Sequence, residues 1–191
     1  GWKKAKQLQG KELSYNNLLD LESALSTVLE FNKNKSELSS NAAIILKHNN
    51  PCGAAISSSI EDAFKKALEC DPISAFGGIV ALNNIVDIDT AKQLSNIFLE
   101  CVVAPSFSQE ALEVLKNKKN LRLLELDLKN INYKNQSSYK SILGGLLIQE
   151  IDNSGGDNSH EWELVTNKKP TEDEFKDLDF AWKICKHVKS N

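Results

Sequence analysis

Short apolar runs alternate with helical patterns along most of this chain, and this alternation limits the fold more than any other feature. Runs of strand length lie at 42–46, 79–82, 101–104 and 146–149. Apolar residues recur at helical spacing at 17–30, 60–69, 91–99 and 108–116. Short continuous apolar runs suit buried strands. Because strands that alternate with helices form α/β domains, the sequence predicts an α/β fold with a largely parallel or mixed sheet.

Two further patterns extend this prediction into the second half of the chain. Residues 121–128 predict a strand, and the polar residues 129–140 predict a surface loop. Thr171 and Glu174 have the spacing of a capping box, which marks the start of a helix. The apolar stripe that follows, which includes Trp182, predicts that this last helix faces the core.

The composition is that of a globular chain that buries a core. With 191 residues, of which 41% are hydrophobic and 26% charged, the chain is long enough for one ordinary domain. A net charge of −3 without a long basic run gives no reason to expect nucleic acid. No apolar stretch approaches the length of a membrane span. The four cysteines form no C-x-x-C motif, so we expect free thiols in a reducing cytoplasm.

The stretch with the most chemical character is Lys47-His48-Asn49-Asn50-Pro51-Cys52-Gly53-Ala54-Ala55. It places a basic pair where a predicted strand runs into a loop, which is a usual place for a ligand site in an open α/β sheet. Pro51 and Gly53 predict a turn directly after the pair. If Lys47 and His48 share one pocket, the ammonium disfavours a second positive charge, and His48 is a neutral imidazole that can accept a proton. In the alternative, Lys47 is solvated at a rim and His48 is hydrogen-bonded to the backbone.

Several stretches together resemble one family. They are the Lys47 to Ala55 stretch, Asp71-Pro72-Ile73-Ser74-Ala75-Phe76-Gly77-Gly78, Gln7 to Asn17, Gly144 to Gln149, Trp162 to Thr166, and Lys186 to Asn191. They occur in order along the whole chain. The chain is similar to the AICAR formyltransferase part of the bifunctional purine-biosynthesis enzymes, the AICAR transformylase/IMP cyclohydrolase family.

The resemblance implies a particular fold and a particular place in a longer protein. The fold would be cytidine deaminase-like, with three α/β/α layers around a mixed sheet. Residues 1–191 would be the first, larger part of the formyltransferase region, with the cyclohydrolase domain before them and the rest of the transferase after them. The sequence agrees with a piece of a longer protein, because it opens without methionine and a helix pattern continues to its last residues.

The resemblance also implies a reaction. The family transfers a formyl group from 10-formyltetrahydrofolate, a co-substrate, to the exocyclic amine of AICAR, an aminoimidazole carboxamide ribonucleotide. His48 would be the general base and Lys47 its electrostatic partner. The amine of AICAR is conjugated with a carboxamide and is a poor nucleophile. A base that removes its proton and a cation that stabilises charge on the formyl oxygen or leaving nitrogen therefore suit the chemistry.

Four more positions match substrate-binding residues of the family. Asn17 would lie close to the nucleotide, Asp127 would bind its ribose, and Asn191 would contact the carboxamide and position the amine. Cys101 falls where some relatives have a glycine that contributes backbone contacts, so its side chain would have no part. The arginine-containing phosphate motif would precede residue 1, and most folate contacts would follow residue 191. Some relatives bind a potassium ion near the segment equivalent to 185–191.

Two other interpretations stay open. The chain could be a non-catalytic or dimer-forming fragment, because the family builds its site across a homodimer and much of that site lies outside this sequence. It could also be a zinc deaminase, whose signature is H-x-E with P-C-x-x-C. Here Asn50 stands where that signature has glutamate, and Pro51-Cys52 lacks the second cysteine, so we expect no zinc. For the formyltransferase we expect small-molecule substrates and a homodimer, with neither nucleic acid nor membrane.

Overall fold

The computed structural model describes residues 2–32, 41–129, 131, 137–152 and 162–189. Within them the strands are β1 (Lys6–Gln9), β2 (Asn41–Lys47), β3 (Asn50–Ser57), β4 (Gly78–Leu82), β5 (Leu99–Ala104), β6 (Arg122–Glu125), β7 (Ser137–Ile142) and β8 (Gly145–Glu150). The helices are α1 (Tyr15–Leu29), α2 (Ile60–Cys70), α3 (Pro72–Ala75), α4 (Ile88–Ser95), α5 (Gln109–Leu115) and α6 (Glu172–Cys185). A 3₁₀ turn, Trp2–Lys4, precedes β1.

Six of these strands form one mixed sheet in the order β1-β6-β5-β4-β2-β3. The neighbouring strands β4, β5 and β6 are parallel to one another. The other three strands are antiparallel to their neighbours: β2 to β4, β3 to β2, and β1 to β6. The expectation of a mixed sheet in an α/β fold is therefore confirmed.

Helices cover both faces of the sheet and make three layers. On one face, α2, α4 and α5 bury Phe64, Leu94 and Leu115 against the strands. On the other face, α1 buries Leu21 and Leu25 in a second cluster. Burial of each such side chain contributes about 1.5–3 kcal/mol. The predicted three-layer α/β/α arrangement is confirmed.

Local capping chemistry explains where most helices begin. The side chains of Ser14, Ser59, Asp87, Ser108 and Thr171 each accept an N–H of the first helical turn that follows. The predicted capping box at the start of α6 and the predicted cap of α5 are confirmed. The helix predicted at 91–99 begins earlier, because Asp87 caps α4 at Ile88. It also ends earlier, at Ser95, and residue 99 belongs to β5.

The turn predicted at Pro51 and Gly53 is wrong, because both residues lie inside strand β3. The chain instead reverses at His48 and Asn49, a two-residue loop between the paired ends of β2 and β3. Strand β3 is at the edge of the sheet, where a proline without an amide donor is tolerated. A shift in register between Ile45 and the next pair leaves an extra residue in β3 at this point.

The prediction that the last helix faces the core is also wrong. No residue of α6 is buried, and Leu178 and Trp182 are more than half exposed. Its contacts with the core include a ring contact between Phe31 and Phe180, whose centroids are 5.3 Å apart, and the packing of Ile184. Amphipathic spacing identified an apolar stripe correctly, but it does not say what covers the stripe.

The predicted surface loop at 129–140 is wrong in its last part, since β7 begins at Ser137. It pairs with β8, the strand predicted at 146–149, in a hairpin whose residues are almost all exposed. The strand predicted at 121–128 is confirmed in its centre as the shorter β6. Among the described residues, no helix combines the length and the apolar character needed to cross a bilayer.

Gly53 gives a direct test of the packing between β3 and α2. A Cβ atom at this position would lie 2.1 Å from the backbone oxygen of Ala67, which cannot move without displacing the helix. We expect Gly53→Ala to lower the free energy of unfolding by about 1–3 kcal/mol, as overpacking does. Gly145→Ala in β8 is the control, because its nearest neighbours are side-chain atoms of Ile142 at 3.7 Å. Equal denaturant midpoints for the two variants would contradict this packing.

Candidate functional site

The loop between β2 and β3 is a tight turn with unusual backbone angles. His48 has a φ of 52° and Asn49 a φ of 61°, both in the left-handed region that few residues other than glycine adopt. Two positive φ values in a two-residue hairpin loop are the mark of a type I′ turn, which matches the twist of the flanking strands. His48 lies at the tip of this turn and is exposed. The sequence placed it correctly at a strand end, although the strand that follows was missed.

Lys47, at the end of β2, is directed towards α3 and not towards the tip of the turn. Its ammonium donates a hydrogen bond of 2.8 Å to the carbonyl oxygen of Phe76. Hydrogen bonds from Ser74, helped by the nearby Lys47 charge, lower the pKa of Asp71. None of the described residues hydrogen-bonds to the His48 side chain. The described residues therefore do not form the backbone-bonded histidine of the second alternative, and a pocket shared by Lys47 and His48 stays a prediction.

Helix α1 holds the other side of the turn. Asp20 Oδ1 accepts the backbone N–H of Asn49 at 2.8 Å, and Ser23 Oγ donates to Asn49 Oδ1 at 3.1 Å. Sequence reasoning missed both helix residues, since two half-exposed polar residues on a helix carry no signal by themselves. Asn17 lies one turn earlier, is 8% exposed, and its Oδ1 accepts hydrogen bonds from the backbone and hydroxyl of Ser14. Its amide Nδ2 takes no part in those bonds.

The end of the described chain also reaches the turn. The backbone N–H of Lys189 donates to Asn50 Oδ1 at 2.7 Å. Just before it, the carboxylate of Glu30, with a side chain only 6% exposed, lies 2.8 Å from Lys186 Nζ and 3.2 Å from His187 Nε2. Such a buried carboxylate needs its partners, so these contacts fix the segment after α6 against α1. Asn191 itself lies outside the described residues.

Asp127 is at the opposite end of the sheet from the turn. It follows β6, whose last residue Glu125 is level with Ala104 of the parallel strand β5. The turn adjoins the other ends of these strands, because β2 is antiparallel to β4. About six residues of strand, or about 20 Å, separate Asp127 from the turn along the strand direction. Within one chain the structure does not bring Asp127 and His48 together.

Cys101 lies in β5 with a side chain that is completely buried. Burial raises the pKa of its thiol to about 12, against the opposing influence of Arg122. The thiol is therefore protonated at neutral pH and inaccessible, so its side chain cannot act as a nucleophile. Its backbone lies level with Ile79 and Arg122, at the end of the sheet that carries the turn.

The described residues offer little for a metal ion. No three of their His, Cys, Asp or Glu side chains are grouped so as to hold one. Burial raises the pKa of Cys52, and its sulfur lies 3.5 Å from the carbonyl oxygen of Ile45. Around the predicted potassium segment, the carbonyls of Ile184 and Cys185 already accept backbone amides. Potassium binding there stays a prediction, because residues 190 and 191 are not described.

The fold and the site define a three-layer α/β/α domain that presents a histidine on a strained hairpin turn at one end of a mixed sheet. The model of the AICARFT/IMPCHase bienzyme family matches residues 1–191. The chain belongs to this family.

Two relatives show how much of the longer protein is present. The chain is 63% identical over 194 residues to the bifunctional purine biosynthesis protein PurH of Prochlorococcus marinus strain MIT 9215, and 53% identical over 195 residues to that of strain NATL2A. In both comparisons all of this chain is covered, but only 37% of the relative. The chain thus spans little more than a third of the length of these relatives.

Among solved structures, RibD of Acinetobacter baumannii is similar over 55% of this chain and 35% of its own, with 15% identity and a TM-score of 0.43. A likeness of this size does not establish a common fold. The cytidine deaminase-like character of the fold therefore stays a prediction.

Proposed function

We propose that this chain is the part of an AICAR formyltransferase that supplies the general base, and that His48 is that base. The reaction moves a formyl group from 10-formyltetrahydrofolate to the 5-amino group of AICAR in the biosynthesis of IMP. The observation that carries the proposal is an exposed His48 held on a defined turn, in a chain of a family named for this transferase. The parent protein would also be an IMP cyclohydrolase.

The chemistry assigns different tasks to the two basic residues. An exposed imidazole can reach the amine of a bound ribonucleotide and take its proton as the C–N bond forms. General base catalysis of this kind is worth about 10²–10⁴-fold in rate. Lys47 has three ammonium donors, of which one is used on the carbonyl of Phe76. The remaining donors would stabilise negative charge on the formyl oxygen or the leaving nitrogen.

Substrate binding would draw on residues around the turn. Asn17 would donate from Nδ2, since its Oδ1 is used to cap α1. Cys101 would contribute only backbone atoms because its thiol is buried. Asn191 follows a segment that is hydrogen-bonded to Asn50 beside the turn, which supports a position close to His48. We keep these three assignments, together with Asp127, as parts of the proposal.

The distance between Asp127 and His48 favours a site shared by two chains. About 20 Å along the strands is more than one small ribonucleotide spans. In a homodimer, Asp127 of one chain could lie beside His48 of the other and bind the ribose there. The proposed protein is therefore a homodimer with two composite sites, as two-fold symmetry requires.

A second possibility is that residues 1–191 alone form a fragment without activity. Exposed apolar side chains on β8 and α6, among them Leu147, Ile148 and Trp182, favour it, because patches of this kind usually mark an interface. The small share of the relatives' length that the chain spans favours it as well. In that case the fragment folds, and it associates without turning over substrate.

One pair of assays tests both possibilities. The full-length protein that carries this region is expected to convert AICAR and 10-formyltetrahydrofolate into formyl-AICAR and tetrahydrofolate in equal amounts, as measured by mass spectrometry. The same assay on residues 1–191, with sedimentation to report assembly, identifies an inactive fragment. A folded full-length protein that forms neither product would reject the formyltransferase proposal.

A further inference from the structure

The turn that carries His48 has a backbone conformation that glycine favours, but neither of its two central residues is glycine. Type I′ turns prefer Asn-Gly or a similar pair, because both central residues need positive φ. Here histidine and asparagine take those places, with φ values of 52° and 61°. Asparagine and histidine adopt the left-handed region more often than most residues, but only glycine adopts it without a steric cost. A conformation of this kind persists only where surrounding contacts maintain it.

Those contacts come from one face of α1. Asp20 and Ser23, which we call the α1 clamp, are three residues apart and therefore neighbours on the helix surface. Asp20 accepts the backbone N–H of Asn49, and Ser23 donates to the side-chain oxygen of the same residue. One residue of the turn is thus held at two points, on its backbone and on its side chain.

The helix beneath the clamp is a rigid support. Leu21, Ala24 and Leu25 follow the clamp residues in the sequence of α1, lie on its buried face and are at most 1% exposed. Their packing against the sheet fixes the position of α1 relative to β2 and β4. Asp20 and Ser23 are half-buried and point towards the turn. The tightly packed helix α1 therefore sets the conformation of the exposed turn.

We propose that Asp20 and Ser23 are positioning residues for formyl transfer. They hold Asn49 in the left-handed conformation and thereby aim the imidazole of the adjacent His48 at the substrate amine. This inference rests on the proposed role of His48 as general base. Neither clamp residue touches the substrate. Their effect on the rate comes from geometry, since a misplacement of about 1 Å in a reacting group can cost about 10²-fold.

The test uses the full-length protein and a set of variants at the clamp. Asp20→Ala removes the acceptor of the Asn49 amide, and we expect kcat to fall about 10–100-fold with little change in KM for AICAR. Asp20→Asn keeps an acceptor oxygen and should retain most of the activity. Asp89→Ala on α4, which removes a carboxylate bonded to a lysine far from the turn, is the matched control and should leave kcat unchanged.

A second substitution separates the clamp from a general loss of structure. Glycine adopts positive φ freely, so adding Asn49→Gly to Asp20→Ala should restore most of the lost kcat. Ser23→Ala, a smaller change that leaves the Asp20 bond in place, should lower kcat less than Asp20→Ala. The inference is wrong if Asp20→Ala keeps kcat within about twofold of the unaltered protein, or if Asn49→Gly fails to rescue it.

Hydrogen exchange gives a readout that does not depend on activity. In the full-length protein the amide of Asn49 should exchange slowly, and Asp20→Ala should accelerate it at least about tenfold while core amides stay protected. Unchanged exchange would overturn the clamp. If the unaltered full-length protein shows no formyl transfer, the proposed function fails. If it is active and loses activity on replacement of His48, but not on replacement of Asp20, only the clamp fails.

Discussion

Replacement of His48 by asparagine is expected to lower kcat for formyl transfer in the full-length protein by about 10²–10⁴-fold, the usual contribution of a general base. Asparagine is the informative replacement because it tolerates the left-handed backbone at this position. The turn therefore stays formed while the proton acceptor is lost. AICAR binding, measured by calorimetry, should change little, since the imidazole acts on the amine during its attack.

A matched pair of variants distinguishes loss of the base from loss of the turn. His48→Ala removes the same imidazole but is less compatible with positive φ, so it should be as inactive as His48→Asn and less stable. Asp89→Ala on α4 serves again as the control, because its carboxylate bonds to Lys92 away from the turn. Turnover by His48→Asn within tenfold of the unaltered protein would contradict the assignment of His48 as the base.

Elements set by local chemistry were predictable from the sequence. The caps of α5 and α6 depend on a side chain and an amide three residues away, which the sequence displays directly. The central strands β2, β4 and β5 are continuous apolar runs because both faces of the sheet are covered. For these elements the local pattern and the tertiary packing agree, so the predictions were confirmed.

The wrong predictions concern elements whose structure depends on their position in the tertiary fold. Strand β3 contains proline and glycine, which usually signal a turn, but at the edge of a sheet neither prevents pairing. Asn49 was the available signal, since asparagine is favoured in left-handed turn positions. The stripe of α6 has helical period, and its large side chains Leu178 and Trp182 are nevertheless exposed in the single chain.

The candidate site shows the same limit. No sequence pattern connects Asp20 with Asn49, which are 29 residues apart and meet only because α1 packs across β2. Nor could it show that Asp127 and His48 lie at opposite ends of the sheet. That separation follows from the directions of β2 and β6 within the sheet. The spacing of apolar residues predicts a strand but not its direction.

The separation of Asp127 from His48 leads to the second large effect, recovery of activity from two inactive variants. In a dimer with composite sites, a heterodimer of His48→Ala and Asp127→Ala chains has one site with both defects and one site with neither. We expect each homodimer to be nearly inactive and the heterodimer, purified through two different affinity tags, to recover about half of the activity of the unaltered protein.

The alternative geometry makes the opposite prediction. If His48 and Asp127 of the same chain served one substrate, every site of the heterodimer would carry one defect, and its activity would not exceed that of the homodimers. A heterodimer of His48→Ala with His48→Asn is the control, because neither of its sites has an imidazole on the turn. Recovery in the first pair and not in the control would place the two residues on different chains of one site, and no recovery in either would refute the shared site.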